Sequence, residues 1–305
     1  MYSYAIRRLI GALPTMLIVI TIAFFMMRVA PGGPFDLERA LPPEVAKNVM
    51  AAYKLDDPLW LQYLNYLGGV LQGDLGPSFK YRDFTVAELI GLGLPISLQI
   101  GGIAILIAVI FGVTLGTIAA LHQNSGVDYA VMATAMTGIT IPNFVVAPLL
   151  TLIFGVYLSW LPVAGWGRSW DQAILPIVAL ALPQVAYVAR LTRGSMIEVL
   201  RSNYIRTARA KGLPERLTIT RHAMKGAMLP VVSYLGPGAA ALLTGSVVIE
   251  TIFGIPGVGR YFVQAALNRD YTLVMGTVIV YGSIIIMLNL LVDLAYGLLD
   301  PKVRY

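Results

Sequence analysis

The chain has 305 residues, 57% of them hydrophobic and only 12% charged. Soluble domains carry about 25% charged residues, and disordered chains are poor in apolar ones, so both classes are excluded. The net charge is +6 with no cysteine, which also excludes a disulfide frame, a thiolate nucleophile and an iron–sulfur site.

The first predicted element is a span over 9–28, bracketed by Arg7-Arg8 and Arg28. Its apolar run is longer than the roughly 7–15 residues of a signal core, so it reads as a retained span. Residues 29–94 form a long loop with helix starts expected at Pro42-Pro43-Glu44 and at Asp57-Pro58. Leu59, Trp60, Tyr63, Tyr66 and Leu67 follow, then Gly68-Gly69 and Gly73-Asp74-Leu75-Gly76-Pro77. These read as a small helical cap, either a docking platform for an external partner or an interfacial aromatic belt. Further spans are expected at 95–121, 131–158, 174–189, 229–249 and 273–299, the third interrupted by Ile141-Pro142-Asn143. The expected fold class is an all-α polytopic membrane protein with six transmembrane helices.

Six spans put both termini and residues 190–228 on one face. Arg190 to Lys225 alone holds Arg190, Arg193, Arg201, Arg206, Arg209, Lys211, Arg216, Arg221 and Lys225 against Glu198 and Glu215. The positive-inside rule makes that face cytoplasmic. The basic excess thus reads as topology, and no nucleic-acid partner is expected. His122 and His222 are too few for a histidine-rich metal site, and no metal is expected. No G-x-x-x-x-G-K-[ST] loop or G-x-S-x-G elbow occurs. The chain is expected to be no enzyme and to hold no cofactor.

Within 190–228, Met196, Val199, Leu200, Tyr204 and Ala208 recur at spacings of three and four, predicting one apolar helical face. Arg201, Arg206 and Arg209 fall off it. Gly212 suits a left-handed position after a helix, and Pro214-Glu215 suits the start of the next. The product is a basic helical elbow, read either as a lipid-surface helix or as a docking element. In the spans, Pro142-Asn143, Pro183-Gln184 and Tyr187 are expected to interrupt apolar stretches. Asn143, Gln184 and Tyr187 border a water-accessible pathway or else join helices. Gly112-x-x-x-Gly116 is a weak close-approach motif.

The segment Tyr204-Ile205-Arg206-Thr207-Ala208-Arg209-Ala210-Lys211-Gly212-Leu213 resembles the loop of binding-protein-dependent ABC importers. Ala208 and Gly212 match the second Ala and the Gly of the Glu-Ala-Ala, three residues, Gly signature. Arg206 and Thr207 replace its first two residues, as in the peptide-importer branch. Glu250-Thr251-Ile252-Phe253-Gly254-Ile255-Pro256-Gly257-Val258-Gly259 resembles that branch's outer loop. Phe25-Met26-Met27-Arg28, Ala30-Pro31-Gly32, Leu41-Pro42-Pro43-Glu44 and Gly73 to Phe79 resemble the B-type oligopeptide permeases.

The resemblance implies the transmembrane domain of a type I ABC importer in a bacterial inner membrane. Its partners would be a second homologous permease subunit, two ATP-binding subunits that hold ATP and Mg, a periplasmic peptide-binding protein and membrane lipid. Arg206, Thr207, Ala208, Arg209, Gly212 and Leu213 would couple to the ATPase. Glu250, Phe253, Gly254, Pro256, Gly257 and Gly259 would form the periplasmic loop. The implied function is ATP-driven oligopeptide uptake. Dipeptide, glutathione or nickel uptake is the alternative within the class. A self-sufficient channel or secondary transporter is the alternative outside it, disfavoured because midplane charges are lacking.

Overall fold

The computed structural model describes residues 2–29, 33, 55–81 and 83–299, and helices dominate them. Among these residues there is no strand, only an isolated bridge between Pro77 and Thr85. Five helices are long and apolar enough to cross a membrane: Ile6–Val29, Val86–Leu121, Trp170–Leu200, Glu215–Phe253 and Tyr271–Ala295. Gly126–Thr140 and Asn143–Tyr157 make a sixth only if counted together, because they meet at 104°. At 1.5 Å per residue each half reaches about 22 Å, short of the roughly 30 Å hydrocarbon core. The break has a local cause. Proline disfavours helical geometry in the residue before it, and Ile141 is extended at φ −93°, ψ 120°.

We label the helices α1 (Tyr2–Val29), α2 (Leu59–Leu71), α3 (Val86–Leu121), α4 (Gly126–Thr140) and α5 (Asn143–Leu150). After them come α6 (Ile174–Leu200), α7 (Asn203–Ala210), α8 (Glu215–Leu217), α9 (Met224–Ile252), α10 (Val258–Leu267) and α11 (Tyr271–Leu299). π-helical turns at Thr151–Tyr157 and Thr218–Ala223 extend α5 and α8. The chain divides into two compact units, one built mainly from Ser97–Ile255 and the other from Arg7–Ile96 with Pro256–Ile284.

In the first unit α6 is the hub. Lipid gives no hydrophobic drive to helix pairing, so close packing over small residues must supply it. A Cβ on Gly112 would lie 2.6 Å from the Val188 side chain, and one on Gly116 would run into the Ala189 carbonyl. Gly112-x-x-x-Gly116 is therefore the seat of α3 on α6. Gly138 of α4 meets the Leu182 carbonyl in the same way, at 2.7 Å. Pro183 lies inside continuous α6 and does not interrupt it, unlike Pro142. On α9, Gly236 lies against Asn289 of α11.

In the second unit Phe24 is fully buried against Tyr63 and Tyr66 of α2. The Arg28 guanidinium stacks 3.5 Å over the Phe24 ring and donates to Gln62 at 2.9 Å. The helix expected after Asp57-Pro58 is α2; a start at Pro42 lies outside the described residues. α3 begins at Val86, well before the apolar stretch at Pro95, because Thr85 and Glu88 form a reciprocal capping box. The Thr85 amide donates to Glu88 at 2.8 Å and the Glu88 amide to Thr85 Oγ1 at 3.2 Å. Asp270 is fully buried and caps α11 through the Leu273 amide. It also accepts the Ser78 hydroxyl at 2.5 Å and the Lys80 amide at 3.2 Å.

Candidate functional site

The elbow is α7 and its flanks. α6 ends at Leu200, and extended Ser202 (φ −69°, ψ 155°) re-aims the chain before α7. This turn corrects the single apolar face expected through Tyr204. It shifts the helical register, so Ile205 is fully buried and Tyr204 is 50% exposed. Ile205 packs with Ala120, Met196, Ala223 and Ala227, drawn from the ends of α3, α6 and α9 and the π turn. The Tyr204 hydroxyl reaches over Gly226 on α9. Ile205→Ala should cost about 2–4 kcal/mol through the cavity it leaves. Thermal unfolding in detergent measures this, and an unchanged midpoint would remove Ile205 as the anchor.

The Ala208-to-Gly212 spacing has a backbone reason. Gly212 takes φ +77°. The Leu213 amide then donates back to the Ala208 carbonyl at 3.3 Å, and the Gly212 amide to the Arg209 carbonyl at 2.9 Å. This is a Schellman motif, which needs glycine at the left-handed position. Ala208 is turned inward and buried, while Arg206, Thr207, Arg209 and Ala210 form the outward face. Arg209, expected to couple to the ATPase, grips Glu215 of this chain at 3.1 and 2.5 Å. The Arg209 hydrogen bonds hold the Glu215 carboxyl below its ordinary value. The stabilisation is present above the ordinary carboxylate range and fades as pH falls through the lowered value. Both groups are exposed, so it is worth under about 1 kcal/mol. Its use is to hold the start of α8 against the end of α7.

Above the elbow, Asp128 and Arg193 join α4 to α6 through two 2.6 Å contacts. The expected pathway residues lie higher. Gln184 is buried and accepts the Tyr234 hydroxyl at 2.7 Å, tying α6 to α9. Tyr187 stacks on Tyr234 with centroids 5.7 Å apart, and Arg190 lies 5.4 Å over the Tyr187 ring. Asn143 sits apart at the start of α5, with no hydrogen-bond partner for its buried Oδ1 among the described residues.

The 250–259 segment uses the same helix ending as the elbow. Gly254 takes φ +67°, and the Ile255 amide donates to the Glu250 carbonyl at 2.8 Å. Fully buried Glu250 accepts the Ser97 hydroxyl at 2.7 Å, and the Phe253 carbonyl accepts the Gly165 amide at 2.9 Å. Beyond Pro256, Gly257 caps α10, and Gly259 is buried in its first turn. A Cβ on Gly93 of α3 would lie 2.9 Å from the Val258 nitrogen, so helix and turn touch backbone to backbone.

Residues 112–305 match the family model described as the binding-protein-dependent transport system inner membrane component, and residues 1–88 match its N-terminal counterpart. The chain belongs to this family. The oligopeptide transport system permease protein OppB of Salmonella typhimurium is 56% identical, with 100% of each chain covered. OppB of Escherichia coli K12 is 55% identical over the same full coverage. The dipeptide transport system permease protein DppB of Bacillus subtilis is 48% identical, covering 100% of this chain and 98% of that protein. Among solved structures, the inward-facing MetNI methionine ABC transporter matches with TM-score 0.59 at 18% identity, over 70% of this chain and 96% of that one. That likeness shows the fold of a type I importer permease.

As a member of the inner-membrane component family, the chain is a multi-pass membrane protein and a transport permease, not an ATPase. Membership in a membrane-protein family also explains the apolar surface of α1, where Ile10, Leu13 and Met26 are 60–70% exposed and suit lipid. Sequence reasoning missed Asp128, Arg193, Ile205 and Asp270. Ser125-x-x-Asp128 was a readable helix-start signal. The partner of Asp128, 65 residues on, left no local trace.

Proposed function

We propose that the chain is one of two homologous membrane subunits of an ATP-driven importer of oligopeptides. A periplasmic binding protein delivers the peptide, and two ATP-binding subunits supply the energy. Residues 190–228 and both termini lie in the cytoplasm, and 250–259 lies on the outer face. The observation that carries the reading is the closed elbow. Arg206, Thr207 and Ala210 project from a turn whose base is rooted in the ends of α3, α6 and α9. An ATPase that grips this face therefore moves three spanning segments together. It biases inward-open against outward-open states by contacting the two differently. Asn143, Gln184 and Tyr187 border the peptide's path. The Asn143 carbonyl suits water or a peptide amide, and Gln184 with Tyr234 holds the α6–α9 wall. Dipeptides are the second reading, favoured by the full-length similarity to DppB.

Reconstitution with the second permease, both ATPases and the binding protein tests the assignment. Labelled tri- to pentapeptides should accumulate only with ATP and binding protein together. Accumulation by the chain alone, or of dipeptides only, would overturn the oligopeptide reading.

The orientation has its own test, helped by the absence of native cysteine. In whole cells Asn203→Cys should resist an impermeant thiol reagent, and Ser169→Cys should react. Both positions are exposed, whereas Ser78 is buried and unsuited to labelling. Reaction of Asn203→Cys from outside would reverse the topology.

A further inference from the structure

Asp128 is 1% exposed. Arg193 grips it with Nε and Nη2 at 2.6 Å each. Oδ2 also accepts the Asn124 amide at 2.9 Å, and Ser125 caps the same turn. Arg193 is 27% exposed, but the carboxylate it holds is buried, so the pair resists separation because losing Arg193 strands that charge. Arg193 stands on α6 beside the Gly116 contact, one helical turn from Met196 in the elbow's anchor. The pair therefore fastens the first turn of α4 to the part of α6 that carries the elbow. The other end of α4 is different. It stops at Ile141-Pro142, where the chain turns by 104° into α5. No helical hydrogen-bond ladder carries across that turn, so the angle between α4 and α5 can change without breaking a helix.

We propose that the Asp128–Arg193 pair is a positioning joint for transport. It makes α4 follow α6 and the elbow, and the Ile141–Pro142 break turns that displacement into a change of angle within the broken span. The proposal rests on the coupling role of the elbow. Neither residue need touch peptide or nucleotide.

The test uses the whole reconstituted complex. The double variant Asp128→Asn with Arg193→Met removes the joint without stranding a charge, and Arg193→Lys keeps the charge. Spin labels go on Tyr129→Cys of α4 and Phe144→Cys of α5, both well exposed. In the otherwise native complex the label separation should change between the nucleotide-free and the ATP–vanadate-trapped states. The double variant should hydrolyse ATP but move roughly tenfold less peptide per ATP, a usual size for a coupling effect, and should lose the label displacement. Arg193→Lys should keep both. An unchanged peptide-to-ATP ratio in the double variant, or no displacement with the pair intact, would overturn the joint. So would parallel loss of assembly in the double variant and Arg193→Lys, which marks a plain structural brace. Ala208→Glu separates the two readings. Normal coupling in it sinks the elbow's role, whereas uncoupling there beside normal coupling in the double variant sinks the joint alone.

Discussion

Gly212→Val should cut coupled peptide uptake at least about tenfold while leaving the chain in the membrane. The residue sits at φ +77°, and a Cβ added there would have nothing within 4 Å, so the penalty is conformational rather than a clash. A branched residue in the left-handed region costs about 1–2 kcal/mol, enough to displace the elbow's closing turn without unfolding the spanning helices. The Leu213-to-Ala208 hydrogen bond opens, and the start of α8 leaves the end of α7. Ala208→Glu reaches the same end from inside, by forcing a carboxylate into a buried position. In reconstituted complexes with equal inserted protein, uptake should fall by an order of magnitude or more, and substrate-stimulated ATP hydrolysis with it. Arg201→Ala should do far less, since Arg201 is exposed and, among the described residues, holds only Gln123 at 3.0 Å. Normal uptake and stimulation in both Gly212→Val and Ala208→Glu would return the elbow to a lipid-surface role.

Gly116→Val should have the largest effect on folding. Its Cβ would collide with the Ala189 carbonyl and lie 2.7 Å from Thr192 Cβ and 3.0 Å from the Arg193 nitrogen. Two of these atoms are helix backbone, which cannot rotate aside, so α3 must lift off α6. Overpacking usually costs about 1–3 kcal/mol, and a backbone clash belongs at or beyond the upper end. Membrane-inserted protein should drop severely and its thermal midpoint in detergent should fall. Gly102→Ala, on the same helix with open space around it, should be tolerated. Equal levels and midpoints for Gly116→Val and Gly102→Ala would refute the close α3–α6 seat.

What the sequence made legible follows from the range of each interaction. Apolar runs mark depth in a bilayer, so the five long helices could be read directly, and Pro142 disclosed the break in the remaining pair. Helix ends are set by hydrogen bonds rather than hydropathy, which is why α3 begins at Thr85–Glu88 and not at Pro95. Gly212 was legible because a left-handed helix ending needs a glycine, and its spacing from Ala208 is the reach of one turn. Tyr204 and Ile205 were exchanged because one turn at Ser202 resets the register, and spacing alone cannot see a turn that short. Gln184 was found as a polar intruder, but its partner Tyr234 lies on another helix. Asp128 and Arg193 read as ordinary residues of a loop and a basic tract until the fold brought them together.

The Ser78–Asp270 bond carries a consequence for biosynthesis. Its two residues are separated by 192 positions, and the second initiates the last helix. A ribosome delivers residue 78 long before residue 270, so the segment that includes Ser78 and Lys80 must wait for residue 270 to acquire its anchor. Until then the turn keeps its local bonds, in which Ser78 Oγ accepts the Lys80 and Tyr81 amides at 3.2 and 2.9 Å, but lacks the carboxylate that ties it to α11. The turn at Ser78 is thus completed only after α11 has been made, so the order of synthesis and the order of folding differ in this part of the chain.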